Sequence, residues 1–215
     1  GLSTGACAAD ILSMAKDVKD VADALKFTKI IVTGWSLGGL VAQTVTTNYP
    51  DLVSHAILIG SGPPGKNTGV PEGTFWERAL KANNDLEDGY VLFFEPKSDA
   101  SKKAAQLSFG RMAKRTEDLD TFVSKDCYIN QRKVIEDFRE DKHDILGKLN
   151  ASKIPILVLM GDHDICFHVE DWYSIVGKLP IIQLIVMPQA GHAVQHQYPE
   201  LAANYIAAFI NNALT

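Results

Sequence analysis

Ile30-Ile31-Val32-Thr33-Gly34-Trp35-Ser36-Leu37-Gly38-Gly39-Leu40-Val41 is the stretch on which the fold turns. Its first three residues are a β-branched run of the kind that packs on a pleated surface, and they read as a strand buried on both faces. From Leu40 the apolar positions change period. Leu40, Val41, Thr44 and Val45 form a helical stripe that Tyr49-Pro50 ends. Strand, tight turn and helix are thus compressed around Ser36. A chance G-x-S-x-G arises in about 7% of chains of this length, so the placement between strand and helix, rather than the bare pattern, carries the reading.

The same unit recurs outward from that turn. Upstream, Ile11, Met14, Ala15, Val18, Val21, Ala22 and Leu25 recur at helical spacing and predict a helix with one buried face. Downstream, Ala56 to Ile59, Pro155 to Met160 and Ile181 to Met187 read as strands. A helix is expected to start over Asp171 to Val176, and a last one covers Leu201 to Ile210. Strands alternating with helices predict an α/β fold with a mostly parallel sheet and right-handed crossovers.

Residues 63–150 interrupt this alternation. They open with Gly62-Pro63-Pro64-Gly65 and Gly69-Val70-Pro71, turn-rich segments that leave the sheet. Helical patterning follows, with 15 Lys and Arg nearly balanced by 16 Asp and Glu, which marks solvated helix faces rather than a charged patch. Aromatic residues such as Phe75, Trp76, Phe93, Phe94 and Phe138 lie among the charges, where they serve either a cleft or the packing of these helices. An insertion leaving a sheet at a strand's C-terminal end lies on the side where open α/β sheets bind ligands. It is therefore read as a helical cap, 63–150, on a core made of 1–62 and 151–215.

Bulk composition narrows the function classes. With 215 residues, 46% hydrophobic and 22% charged, the chain has the makeup of an ordinary globular domain. A formal charge of -5 without a basic stripe argues against nucleic acid, and the lysine pairs in the insertion are too balanced by acids for a membrane surface. Cys7, Cys127 and Cys166 are odd in number and widely spaced, which predicts free thiols and a cytoplasmic, reducing location. No charged and apolar leader follows Gly1. No metal or other cofactor is implied, and a small molecule is the expected partner.

The chemistry starts from the weakness of a serine hydroxyl as a nucleophile. It needs exposure, a base within hydrogen-bond reach and donors for the oxyanion it creates. Ser36 on a strained strand-to-helix turn meets the first need, with Gly34 and Gly38 expected to permit close backbone packing. The Leu37 N–H, at the positive end of the following helix, is one oxyanion donor. His192, on the loop Met187-Pro188-Gln189-Ala190-Gly191-His192 after the last strand, is the candidate base, with Gly191 allowing a tight turn. Gly161-Asp162-His163-Asp164 follows the third strand, and Asp164, deeper in that loop, is the candidate acid, with Asp162 a turn residue. Trp35 lines the acyl pocket or packs beneath the turn, and Cys166 reads as a buried packing thiol.

GWSLGG, MGDHDI and PQAGHAVQHQYPE, in the chain order Ser36, Asp164, His192, resemble the nucleophile elbow, acid loop and histidine loop of the α/β-hydrolase superfamily. The branch that looks nearest is that of small esterases, lactonases and haloperoxidase-like enzymes. A serine at position 36 sets the chain apart from the dehalogenases and epoxide hydrolases, which use an aspartate there. The resemblance implies further strands before Ile11 and a segment with a second oxyanion donor; neither is visible. It therefore implies a sheet incomplete on its N-terminal side, with Ile30-Ile31-Val32 left at an edge unless an upstream segment or a second chain supplies the missing strands. Two functions fit: a serine hydrolase acting on a small ester, lactone or thioester, and a non-catalytic or weakly catalytic small-ligand-binding protein on the same scaffold. Acyl transfer and carbon–carbon bond hydrolysis use the same three residues.

Overall fold

The computed structural model describes residues 6–65, 69–81, 83–117, 123–179 and 181–212. Helix α1, Ile11–Ala24, begins where the Asp10 carboxylate accepts the Ser13 N–H at 2.8 Å, a side-chain cap on an otherwise unpaired donor. Ile11, Ala15 and Ala22 are buried, whereas Val21 and Leu25 are more than half exposed. The expected stripe is thus covered only in part. Strand β1, Ile30–Trp35, runs through the Ser36 turn into α2, Leu37–Asn48, and β2, Val53–Ile59, follows. The later strands are β3, Ile156–Gly161, and β4, Ile182–Met187.

These four strands form one sheet in the order β1-β2-β3-β4, with every pairing parallel. All six residues of β3 are buried, as its unbroken apolar run requires. Strand β1 differs. It lies at the sheet edge, and along it Ile31 and Thr33 are exposed while Val32 and Gly34 are buried. The expectation that Ile30-Ile31-Val32 is buried on both faces is corrected here: β-branching favours a pleated surface but does not say whether both faces are covered.

Side chains alternate across the sheet, so each strand supplies both faces. Ala56, Leu58, Ile156, Val158 and Met160 share one cluster, packed under α1 and α2. Ile57, Ile59, Leu157 and Leu159 share the other, closed by α9, Val194–Gln197, and α10, Pro199–Asn212. Between β3 and β4 the expected helix is only α8, Glu170–Tyr173, followed by a 3-10 turn at Val176–Lys178. Trp172 anchors it, fully buried, donating its indole N–H to the Ser61 carbonyl at 2.8 Å.

Among the described residues five helices lie between β2 and β3: α3, Gly73–Ala79; α4, Leu86–Phe93; α5, Asp99–Met112; α6, Lys125–Arg139; and α7, Ile145–Ala151. They attach in two ways. Val134 and Phe138 of α6 and Ile145 and Leu149 of α7 belong to the main apolar cluster beside the strands. Asp88 of α4 is instead buried between Arg78 and Lys81, 2.7 and 2.6 Å from their nitrogens, while its other oxygen accepts the Asp85 N–H in a capping box. Those hydrogen bonds hold its carboxyl far below the usual carboxylate range.

Cys7 and Cys127 are joined in a disulfide, their Cα atoms 5.5 Å apart. The expectation of three free thiols is overturned. A separation of 120 residues along the chain places no limit on distance in space, and here the segment before α1 runs to the start of α6. Cys166 is the free thiol, and it is buried. Among the described residues no helix is long and apolar enough to cross a membrane.

Candidate active site

Ser36 has φ 56 and ψ -125, a backbone conformation rare for a residue with a side chain. Its neighbours explain how the turn is held. A Cβ at Gly34 would overlap the carbonyl of Gly38, so β1 and the first turn of α2 touch backbone to backbone. At Gly38 a Cβ would meet nothing; the second obligatory glycine is Gly39, whose Cβ would run into the Ser61 side chain. The expected pairing of Gly34 with Gly38 is thus corrected to Gly34 with Gly39. The Ser36 N–H donates to the Ile59 carbonyl at 2.9 Å, which continues the β1–β2 ladder to the turn. Leu37 is the first residue of α2, so its N–H has no partner one helical turn back.

Asp164 and His192 come from loops at the ends of β3 and β4. The side chain of Asp164 is fully buried and that of His192 is 3% exposed. Nδ1 of His192 lies 2.9 Å from Oδ2 of Asp164, while Oδ1 of the same carboxylate accepts the N–H groups of Cys166 and Phe167 at 2.8 and 3.0 Å. Both oxygens are therefore satisfied in a dry setting, as a buried carboxylate requires. With Nδ1–H donating to the Asp164 carboxylate, Nε2 is the nitrogen left to accept a proton. Among the described residues Ser36 Oγ makes no hydrogen bond in this state, and hydrogen bonds of this kind commonly tighten only with substrate.

Asp162 has a different task. Its Oδ1 accepts the Ala190 N–H at 3.2 Å and pairs with the His163 ring at 2.6 Å, so it pins the histidine loop to the acid loop. That carboxylate raises the imidazole pKa of His163 above its ordinary value. Burial, with Asp164 close by, pushes the Cys166 thiol well above the usual range and keeps it protonated.

Close backbone contacts complete the frame. Gly60, at φ +49, lies under His192 and Asp164: a Cβ there would overlap the His192 carbonyl and come within 3.2 Å of Nδ1. Gly161 packs against the backbone of Ala190 and Gly191. Gly191 does not take a left-handed conformation; it is required because a Cβ would approach the Phe94 backbone to 2.6 Å. Sequence reasoning missed Gly60, because nothing local marks a glycine whose neighbour lies more than a hundred residues away.

Trp35 donates its indole N–H to the His192 carbonyl at 3.0 Å, and its ring centroid lies 5.5 Å from the imidazole. Phe75 and Phe167 approach the same imidazole at 6.3 and 6.0 Å. The candidate base thus sits among three aromatic rings, one of them from the inserted helices. A cavity of about 570 Å³ borders the acid loop, with Glu72, Phe94, Glu95, Asp162, Asp164 and His168 in its walls; neither Ser36 nor His192 lines it.

A parallel α/β sheet with a serine on a strained strand-to-helix turn, and an acid and a histidine on later strand ends, defines the class of α/β hydrolases. A sequence profile of the alpha/beta hydrolase fold matches residues 4–199, and the chain belongs to that family. It is similar to a 2-hydroxy-6-oxononadienedioate/2-hydroxy-6-oxononatrienedioate hydrolase of Paraburkholderia phymatum, 27% identical over 86% of this chain and 64% of the relative. A 2-hydroxy-6-oxo-6-phenylhexa-2,4-dienoate hydrolase of Burkholderia cepacia is also 27% identical, over 92% of this chain and 68% of the relative. The chain thus spans about two thirds of the length of the curated relatives it matches. Among solved structures, an alpha/beta hydrolase fold protein from Chitinophaga pinensis superposes with a TM-score of 0.81 at 25% identity, covering 99% of this chain and 76% of that one.

Proposed function

We propose that this protein is a serine hydrolase that cleaves a small ester, lactone or thioester, with Ser36 as nucleophile, His192 as base and Asp164 as the acid that orients it. The observation that carries the reading is the buried His192–Asp164 pair at 2.9 Å, because a dry, fully satisfied carboxylate on Nδ1 fixes the tautomer a general base needs. Ser36 Oγ attacks the carbonyl carbon while His192 Nε2 takes its proton. The tetrahedral oxyanion is met by the Leu37 N–H. Collapse breaks the bond to the leaving oxygen or sulfur, which receives the proton from His192. Water then attacks the acyl-serine by the same route in reverse and releases the acid. Trp35, Phe75 and Phe167 keep bulk water from the imidazole and offer an apolar wall to the acyl group.

The names of the two relatives favour a second reading. A 2-hydroxy-6-oxo dienoic acid has no ester bond, so its hydrolysis breaks a carbon–carbon bond beside the ketone, and the same three residues serve that chemistry. A fluorophosphonate probe followed by peptide mapping tests the common part: labelling at Ser36, lost in Ser36→Ala, is expected. No labelling of the intact protein, together with saturable binding of a small ligand that survives Ser36→Ala, would replace the enzyme with a binding protein. Parallel assays on p-nitrophenyl acetate and on 2-hydroxy-6-oxo-6-phenylhexa-2,4-dienoate separate the two substrate classes.

A further inference from the structure

The loop that carries His192 has no regular structure from Pro188 to Ala193, and Gln189 within it takes φ 52. On its inner side the core holds it through Asp162, Trp35 and Asp164, as described above. On its outer side its hydrogen bonds to the inserted helices come from one stretch, residues 93–108, while Phe75 of α3 adds a ring contact to the imidazole. The Ala193 N–H, next to His192, donates to the Phe93 carbonyl at 2.8 Å, and Gly191 lies directly against the Phe94 backbone. Helix α5 and its cap residue add a row of serines. Ser98 Oγ donates to Gln189 Oε1 at 2.9 Å, Ser101 Oγ donates to Gln197 Oε1 at 2.9 Å, and Ser108 Oγ lies 3.0 Å from Nδ1 of His196. Ser101 also accepts the Glu95 N–H at 2.9 Å, and Gln197 Nε2 closes the ring by donating to the Gln189 carbonyl at 2.7 Å.

We infer that Ser101 and Ser108 of α5 are positioning residues for His192, holding Gln197 and His196 on the far side of its loop, with Gln197 tying that side back to Gln189, so that the imidazole stays in register with Asp164 and Ser36. The proposal rests on the reading of His192 as the base. Three physical points support it. Ser101, Ser108 and Gln197 are 0, 2 and 5% exposed, so these hydrogen bonds lie where an unmet partner is costly and geometry is directional. Positions 101 and 108 are two helical turns apart and fall on one face of α5, which makes the row a designed seam of that helix. The contacts bracket His192 in sequence, at 189 before it and at 193, 196 and 197 after it, and those at 189, 196 and 197 come from α5 and its cap residue, so a rigid shift of α5 carries both sides of the loop with it. Burial and nearby Arg111 also hold the His196 pKa below its ordinary value, which favours the neutral ring beside the Ser108 hydroxyl.

The test uses the intact protein with Ser101→Ala, Ser108→Ala, Gln197→Leu and the Ser101→Ala/Gln197→Leu double variant. Turnover of p-nitrophenyl acetate is measured as kcat and KM separately, and the His192 ring is followed by 15N-histidine NMR, assigned with His192→Gln. A misplaced base lowers kcat by about 10- to 100-fold in Ser101→Ala while KM stays within about twofold. The double variant falls no further than the worse single one, and the His192 ring resonances broaden. Ser108→Ala, the milder change, shows the same signature at smaller size and carries the test if Ser101→Ala does not fold. The proposal is overturned if kcat and the His192 resonances match the parent protein, or if kcat falls only in proportion to unfolded material. Should the parent not turn over esters at all, the proposed function is what fails, and the NMR comparison still decides this inference.

Discussion

The Ser36 turn and the histidine loop differ in how much of their hold is steric. Residues 34–39 are held by sterics: Gly34 against the Gly38 carbonyl and Gly39 against Ser61 leave the backbone one way to run, and Ser36 is carried into its rare conformation as a result. Residues 188–197 share such close backbone contacts at Gly60, Gly161 and Gly191, but they add directional polar contacts, from Asp162, Trp35 and Asp164 on one side and from the inserted helices on the other. A steric frame fails abruptly when an atom is added. A polar frame weakens by degrees when one is removed.

Gly34→Ala is the most damaging test of this contrast. The added methyl has no space, so the turn cannot form, and loss of folded, labelable protein is expected by circular dichroism and by fluorophosphonate labelling together. A well-folded, active Gly34→Ala would break the comparison. Asp164→Asn comes next. The amide keeps the shape but removes the charge that holds the tautomer, and kcat is expected to fall by about 10,000-fold while the thermal midpoint stays near that of the parent. Trp35→Phe keeps an aromatic ring and removes the indole donor to His192. A bond of this kind is worth about 0.5–1.5 kcal/mol net, so kcat should drop by about two- to tenfold with KM little changed.

The smallest effect is pH-dependent and sits on the half-exposed Asp162–His163 pair. The folded-state pKa of His163 is raised, so its contribution to stability is fully present below the ordinary histidine range and is lost as pH rises through the folded value. Solvent screening keeps this below about 1 kcal/mol. Urea midpoints measured across the neutral range should show the parent losing a small increment that His163→Ala never has.

Much of this was legible in the sequence because it is local. The period change at Leu40 gives β1 and α2, the unbroken apolar run Ile156 to Met160 gives a buried strand, and loop placement after strands singles out Asp164 and His192, which the structure brings into contact. What was not legible is non-local. Gly60 and Gly39 are required by atoms elsewhere in the chain, and Ser101 and Gln197 meet across 96 residues with no periodic signature. Ile31 misled because a β-branched residue looks the same in an edge strand as in a central one.

The link between Cys7 and Cys127 makes a covalent ring that contains Ser36 but neither Asp164 nor His192. A protease that nicks the chain once inside the ring leaves two fragments that still travel together, whereas a nick between Cys127 and Asp164 yields a separate piece carrying Asp164 and His192. Gels run with and without reductant therefore report whether a given cut lies inside the ring that holds Ser36 or outside it.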